Sequence, residues 1–255
     1  KTDTLEVIKT DTLIVKDTIT DTLFVRDTVC ATDSCLRAGL LVYYPFSGDF
    51  NDASGNGYHL TPMNGVSFGP DAAGRANNAA SFDGVDDYLF VNDGGKLYSE
   101  QFTISLWFKS RENSKPQSFC SHTSFEDASG FHLNAGIDKQ RSTGFALGRP
   151  SLGCAAIQHY DPSISVATPQ PVVNDVWHSF IGIFDNGKMY VYVDGQLKAT
   201  KTAGYTTSNR CTNARLTLGA WWKDDLTVLN GLLDEFRLYN RPLNPCEIAY
   251  LSSKR

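Results

Sequence analysis

Polar and apolar positions alternate with a period of two from Thr2 to Val29. Residues 10–29 read TDTLIVKDTITDTLFVRDTV, one ten-residue unit written twice, and a shortened copy, TDTLEVIK, occupies 2–9. Odd positions carry the pairs Leu5/Val7, Leu13/Val15 and Leu23/Val25 among aspartates; even positions are mainly Thr. Period two with β-branched residues is β chemistry, and an even repeat length keeps each side chain on one face in every copy. Without Gly, Pro or Asn the stretch signals no hairpin. It predicts one extended strip over 1–34, whose repeat from Thr2 to Val29 reaches about 90 Å at roughly 3.3 Å per residue. A lone strand of that length leaves its backbone groups and Leu-x-Val pairs unpaired, so the strip needs a partner, and other copies of itself are the nearest supply.

Beyond Cys35 the pattern breaks into short alternating runs: 40–46, 87–91, 102–109, 177–184, 189–193, 215–219 and 231–239. Asn-Gly in DNGK at 185–188 and Asp-Gly in VDGQ at 193–196 mark hairpins. One helix is predicted, over 245–252: Asn244 caps it, Pro245 takes its first position, and Glu247 reaches back to the cap. Many antiparallel strands and one short helix make an all-β fold over 35–255, a two-sheet sandwich or jelly roll preceded by the extended strip.

Composition narrows the partners. The 255 residues suffice for a sizeable core, and a net charge of -5 argues against nucleic acid or an anionic membrane as the main partner. No apolar run is long enough for a membrane span. Six scattered cysteines without C-x-x-C spacing suit disulfides in an oxidising, extracellular setting. Six cysteines allow about 15 pairings; Cys35 with Cys246 would staple the two ends of the domain, and Cys154 with Cys211 is the second pairing considered.

Five segments, in order, carry a resemblance: LVYYPFSGDFNDASGNGYH, AASFDGVDDYLFV, FTISLWFK, VWHSFIGIFDNGKMYVYVDGQL and LNGLLDEFRLYNRPLNPCEI. Over about 38–252 the chain resembles the laminin-G-like, concanavalin A-like jelly rolls in their bacterial form. The resemblance implies two antiparallel sheets of about six or seven strands each and an extracellular binding or adhesive module. Residues 112–172 fit the pattern poorly and read as a local elaboration. The resemblance also implies a structural Ca²⁺ held by Asp52 and Asn56 of the NDASGNG loop with Asp234 of the DEFRLYN strand, oxygen ligands that suit that ion; the same loop residues read equally as turn formers. Asp83, Asp86 and Asp87 in FDGVDDY read chiefly as a turn.

Adjacent Trp221 and Trp222 cannot both face the core of a strand. The outward one, beside Lys223, Asp224 and Asp225, suits a sugar-binding shelf; the pair also reads as one core Trp and one packed under a loop. Trp107 and Trp177, within alternating runs, are expected in the core. The histidines His59, His122, His132, His159 and His178 stand apart, and neither G-x-S-x-G nor H-E-x-x-H occurs, so no enzyme is expected. Two readings follow. One is a subunit of a cell-surface fibre, self-associating through the strip as a trimeric stalk or by strand addition and displaying the jelly roll as a head. The other is a lectin that binds glycan with the strip as spacer.

Overall fold

In the computed structural model the described residues are 33–111, 116–123, 131–135, 142–147, 165–172, 174–208, 210–221 and 227–253. The strip residues Leu5, Val7, Leu13, Val15, Leu23 and Val25, with Cys154 and Trp222, lie outside them. In chain order the elements are α1 (Asp33–Arg37), β1 (Leu40–Tyr44), β2 (Thr61–Met63), β3 (Ser67–Gly69), β4 (Ala79–Asp83), β5 (Tyr88–Val91), β6 (Phe102–Ser110), β7 (Gln117–Thr123), β8 (Phe131–Ala135), β9 (Ser142–Leu147), β10 (Ser165–Pro171), β11 (Trp177–Asp185), β12 (Lys188–Val193), β13 (Gln196–Thr202), β14 (Arg215–Leu218), β15 (Asn230–Tyr239) and α2 (Pro245–Ser253).

The strands form two antiparallel sheets. One has eight, ordered β13-β12-β11-β6-β15-β4-β3 with β1 also on β15; the other has seven, ordered β10-β9-β8-β7-β14-β5-β2. This is the jelly-roll sandwich expected. Residues 112–172 correct the expectation: they supply β7 to β10, four strands of the seven-stranded sheet. They are part of the frame, not an elaboration on it.

Local chemistry explains the connections. Asn186-Gly187 and Asp194-Gly195 all have positive φ, at 46° and 81° and at 51° and 73°. Positive φ at both central residues is the two-residue hairpin that matches strand twist, and these turns join β11 to β12 and β12 to β13. Between the sheets lies an aromatic-rich core that includes Tyr44, Phe82, Phe108, Phe119, Phe145 and Phe236.

On the outer face of the eight-stranded sheet lie α1 and α2. Leu36 of α1 and Ile248 and Leu251 of α2 pack with Ile181, Ile183 and Tyr239. Asn244 Oδ1 accepts the Cys246 and Glu247 amides at 2.9 and 3.0 Å, and Glu247 Oε2 accepts Asn244 N at 2.8 Å. That is the reciprocal cap expected of the sequence. Arg241 grips Glu247 with two bonds, 2.7 and 2.9 Å, and donates to the carbonyls of Ala38 and Cys35 at 2.7 and 3.2 Å. It therefore ties α1 to α2. Trp107 is buried, with Nε1 donating to Leu251 O, but it lies under α2 rather than between the sheets. Trp177, expected in the core, is half-buried.

The cysteines depart from the expected map. Cys246 is disulfide-bonded and Cys35 is an exposed thiol, so the pairing of Cys35 with Cys246 is corrected. Cys211 is disulfide-bonded too, and its expected partner Cys154 lies outside the described residues. Cys120 is a thiol buried in the core, and burial pushes its pKa up. Among the described residues no helix is long and apolar enough to cross a membrane.

Candidate functional site: the outer face of the seven-stranded sheet

Strand register turns scattered residues into a continuous row. Leu216 and Leu218 of β14 enter the core, as does Leu89 of β5. Thr217, between the two leucines, therefore faces outward. Across the sheet it pairs with Phe90 on one side and Ser121 on the other; Phe90 in turn pairs with Thr61, and Ser121 with His132. The register continues to Ala146 and Ser165. One row thus spans all seven strands, mostly with hydroxyl residues beyond Phe90. Thr217 and Ser121 are fully buried, whereas Phe90 is half-exposed and Thr61 exposed.

At the Phe90 end the face changes character. The Arg215 guanidinium lies 4.7 Å from the Phe90 ring centre and 5.6 Å from that of Tyr88. Met63, Ala220 and Val228 complete this apolar patch. Trp221 is half-buried, and its carbonyl accepts the Ser121 hydroxyl at 2.6 Å, which lays the chain across the sheet beside the row. Tyr88 and Arg215 are buried, so what this end of the face offers a ligand is the half-exposed Phe90 and Trp221. Thr123, paired with Arg215, and Thr217 have hydroxyls without a hydrogen-bond partner at full burial. Sequence reasoning missed Phe90, Arg215 and the row, because only cross-strand register aligns them.

The residues expected to hold calcium each have protein partners. Asp52 is buried, and its carboxylate accepts four protein donors: Tyr43 N at 3.0 Å and Ser54 N at 2.9 Å on Oδ1, Ser54 Oγ at 2.9 Å and Tyr58 N at 3.1 Å on Oδ2. A carboxylate has about four lone-pair sites, so this one is filled. Asn56 turns its amide nitrogen to the Leu40 and Leu41 carbonyls at 3.1 and 2.9 Å. Asp234 belongs to another cluster. Its Oδ1 accepts Glu235 N at 2.7 Å, and Glu235 and Asp71 are the carboxylates whose charge acts on it. Burial, then those neighbours, pushes the Asp234 carboxyl up to about 8. Through these bonds Asp52 acts as a latch that fixes the 50–58 loop to β1.

A bulge explains the Asp234 surroundings. The β15–β6 register shifts between Asp234 and Arg237, and Glu235 sits at φ 53°. Left-handed backbone belongs to a class of bulge that glycine usually fills, and at Glu235 it is a strained conformation held by its neighbours. It brings Glu235 to the Tyr43 hydroxyl at 2.9 Å and to Arg237 at 2.6 Å, while Arg237 stacks on the Tyr43 ring at 3.8 Å.

Asp83, Asp86 and Asp87, at the turn between β4 and β5, hold carboxylate oxygens within 4.8 Å of one another. Internal bonds account for the turn: Asp87 Oδ2 accepts Asp83 N at 3.0 Å and Asp83 Oδ1 accepts Val85 N at 2.7 Å. Burial, with Asp83 and Asp86 close by, raises the Asp87 carboxyl.

A model of the concanavalin A-like lectin/glucanases superfamily matches residues 83–249, more than half of the chain. The chain belongs to this superfamily. Comparison with curated proteins finds no match. Among solved structures, this concanavalin A-like domain is similar to domain 4 of AbnA, an extracellular GH43 arabinanase from Geobacillus stearothermophilus, solved with arabinotriose. The TM-score is 0.63 at 21% identity, over 85% of this chain and 99% of that one. It is also similar to the binding domain of botulinum neurotoxin DC in complex with SialylT, with TM-score 0.59, 15% identity and coverage of 84% and 50%. A structure of botulinum neurotoxin type C, described as needing two ganglioside molecules for cell entry, gives TM-score 0.64, 15% identity and coverage of 87% and 52%. The chain spans about half of each of these two toxin chains. At such identities the likeness is one of fold.

Proposed function

We propose that this concanavalin A-like domain is a lectin-like module that binds carbohydrate on the outer face of its seven-stranded sheet, around Phe90, Arg215 and Trp221. The observation that carries the reading is the Arg215 guanidinium set over the half-exposed Phe90 ring, at the end of a row of hydroxyl residues. The aromatic face of Phe90 takes the C–H side of a sugar ring, and Arg215, itself buried against that ring, holds it in place. The arabinotriose, SialylT and ganglioside named for structures of similar fold support a saccharide as the ligand class. The module binds rather than turns over its ligand, and works outside the cell. Its test is a glycan array with the full chain, followed by Phe90→Ala and Arg215→Gln. Binding that falls at least tenfold in both variants supports the site. An array without hits, or hits that both variants keep, overturns it.

A second reading concerns the strip over 1–34. Its repeated Leu-x-Val pairs at even spacing favour an assembly element that joins copies and displays the lectin-like head. Light scattering on the full chain tests it: mass that grows with concentration supports assembly, and a constant monomer mass overturns it.

A further inference from the structure

The two sheets leave four strands at their ends, and three are unsuited to receive another strand. β3 and β2 are three residues long, β2 holding Pro62, and β10 contains Pro169 and Pro171. Proline lacks the N–H a ladder needs, and very short edges resist pairing. The outer side of β1 is occupied, since Tyr43 N donates to Asp52. β13 is different: it has seven residues, no proline, and exposed side chains at Gln196, Leu197, Lys198, Thr200 and Thr202.

The face of the sheet leads to the same edge. Ile181 pairs with Tyr192, and Tyr192 with Leu197. This apolar row begins under the helices and ends at Leu197, which is 51% exposed. A further strand with an apolar side chain opposite Leu197 would continue the row.

We propose that β13 is the acceptor edge for the strip of a second copy of this chain, with residues 10–29 adding as the next strand of the eight-stranded sheet. The inference rests on the assembly reading of the strip. The strip supplies what the edge lacks: alternating Leu and Val for the row, β-branched backbone for the ladder, and charge. Residues 10–29 hold four aspartates against two basic residues, and the edge strand presents exposed Lys198. Lysine on an edge discourages pairing with an apolar or basic strand and favours an acidic one. Each strip carries three Leu-x-Val pairs, and each head offers one open edge of this length among the described residues. Donor and acceptor are different surfaces, so the contact is head-to-tail and extends into a filament unless it closes into a ring.

The experiment uses two full-length variants. Leu197→Asp with Lys198→Glu disables the edge at exposed positions, and Leu13→Asp with Leu23→Asp disables the strip. Light scattering is expected to show a wild-type mass that rises with concentration and each variant alone at monomer mass. An equimolar mixture should reach twice that mass, because one variant keeps a working strip and the other a working edge. If the edge variant still assembles alone, strips pair with one another: the acceptor assignment falls and the assembly reading stands. If the mixture stays at monomer mass although the wild type assembles, the assignment to β13 also falls. A wild type that is monomeric throughout overturns both.

Discussion

Replacing Asp234 by Asn should change how stability depends on pH. Asp234 is buried on β15 with Glu235 and Asp71 near it, and its carboxyl is pushed from 3.8 up to about 8. The unfolded chain releases this proton near pH 4, while the folded protein keeps it to about pH 8. The folded state thus binds more protons between those values. Its stability is fully present below about pH 4 and is lost as pH rises to about 8. At roughly 1.36 kcal/mol per pH unit the upper bound is about 6 kcal/mol. Local relaxation and water entry lower the expected loss to about 2–3 kcal/mol. Asn keeps the oxygen that accepts Glu235 N and removes the titration. Urea unfolding at a series of pH values, for wild type and variant, isolates the group by difference. The variant should gain about 2–3 kcal/mol over wild type between pH 4 and 8, or roughly 5–10 °C in Tm. Parallel profiles, or a gain that shrinks as pH rises, would refute the reasoning.

Three further outcomes follow from the packing. Arg241→Ala leaves the buried Glu247 carboxylate with the Asn244 amide and frees the α1 carbonyls; thermal denaturation should show a loss of about 3 kcal/mol, not restored by Arg241→Lys, which lacks the planar fork. Gly219 sits at φ 82°, where a Cβ would lie 2.2 Å from the Phe82 ring, so Gly219→Ala should cost roughly 2–4 kcal/mol in chemical unfolding. With Asp52 filled by four protein donors, Ca²⁺ and then chelator should leave its contribution to Tm unchanged; a calcium-dependent rise that Asp52→Asn abolishes would show that the loop opens to hold the ion.

What the sequence made legible was what rests on local rules. Asn186-Gly187 and Asp194-Gly195 announced their hairpins because positive φ favours those residues. Asn244 and Glu247 announced the helix start because the cap is a four-residue device. β6, β11 and β15 showed as long runs rich in aromatic and branched residues. β7 and β10 did not, since QSFCSHT and SVATPQP bury Ser and Thr and so lose the contrast between faces. The candidate site was hidden for the same reason. Phe90 and Arg215 are 125 positions apart and meet only through pairing of β5 with β14. Trp221 was singled out by its type, and the structure places it beside this row. Asp52 was recognised as a loop residue of consequence. Three of its four donors are backbone amides, of Tyr43, Ser54 and Tyr58, which the fold supplies and which leave no pattern of side chains to read.

The central claim is that carbohydrate binds on the outer face of the seven-stranded sheet. Its most direct test is titration calorimetry with the strongest array hit against wild type, Phe90→Ala, Trp221→Ala, and Leu197→Asp as a control on the other sheet. The account predicts that Kd weakens at least tenfold in the first two variants and is unchanged in the control. Unchanged affinity in both site variants would contradict it.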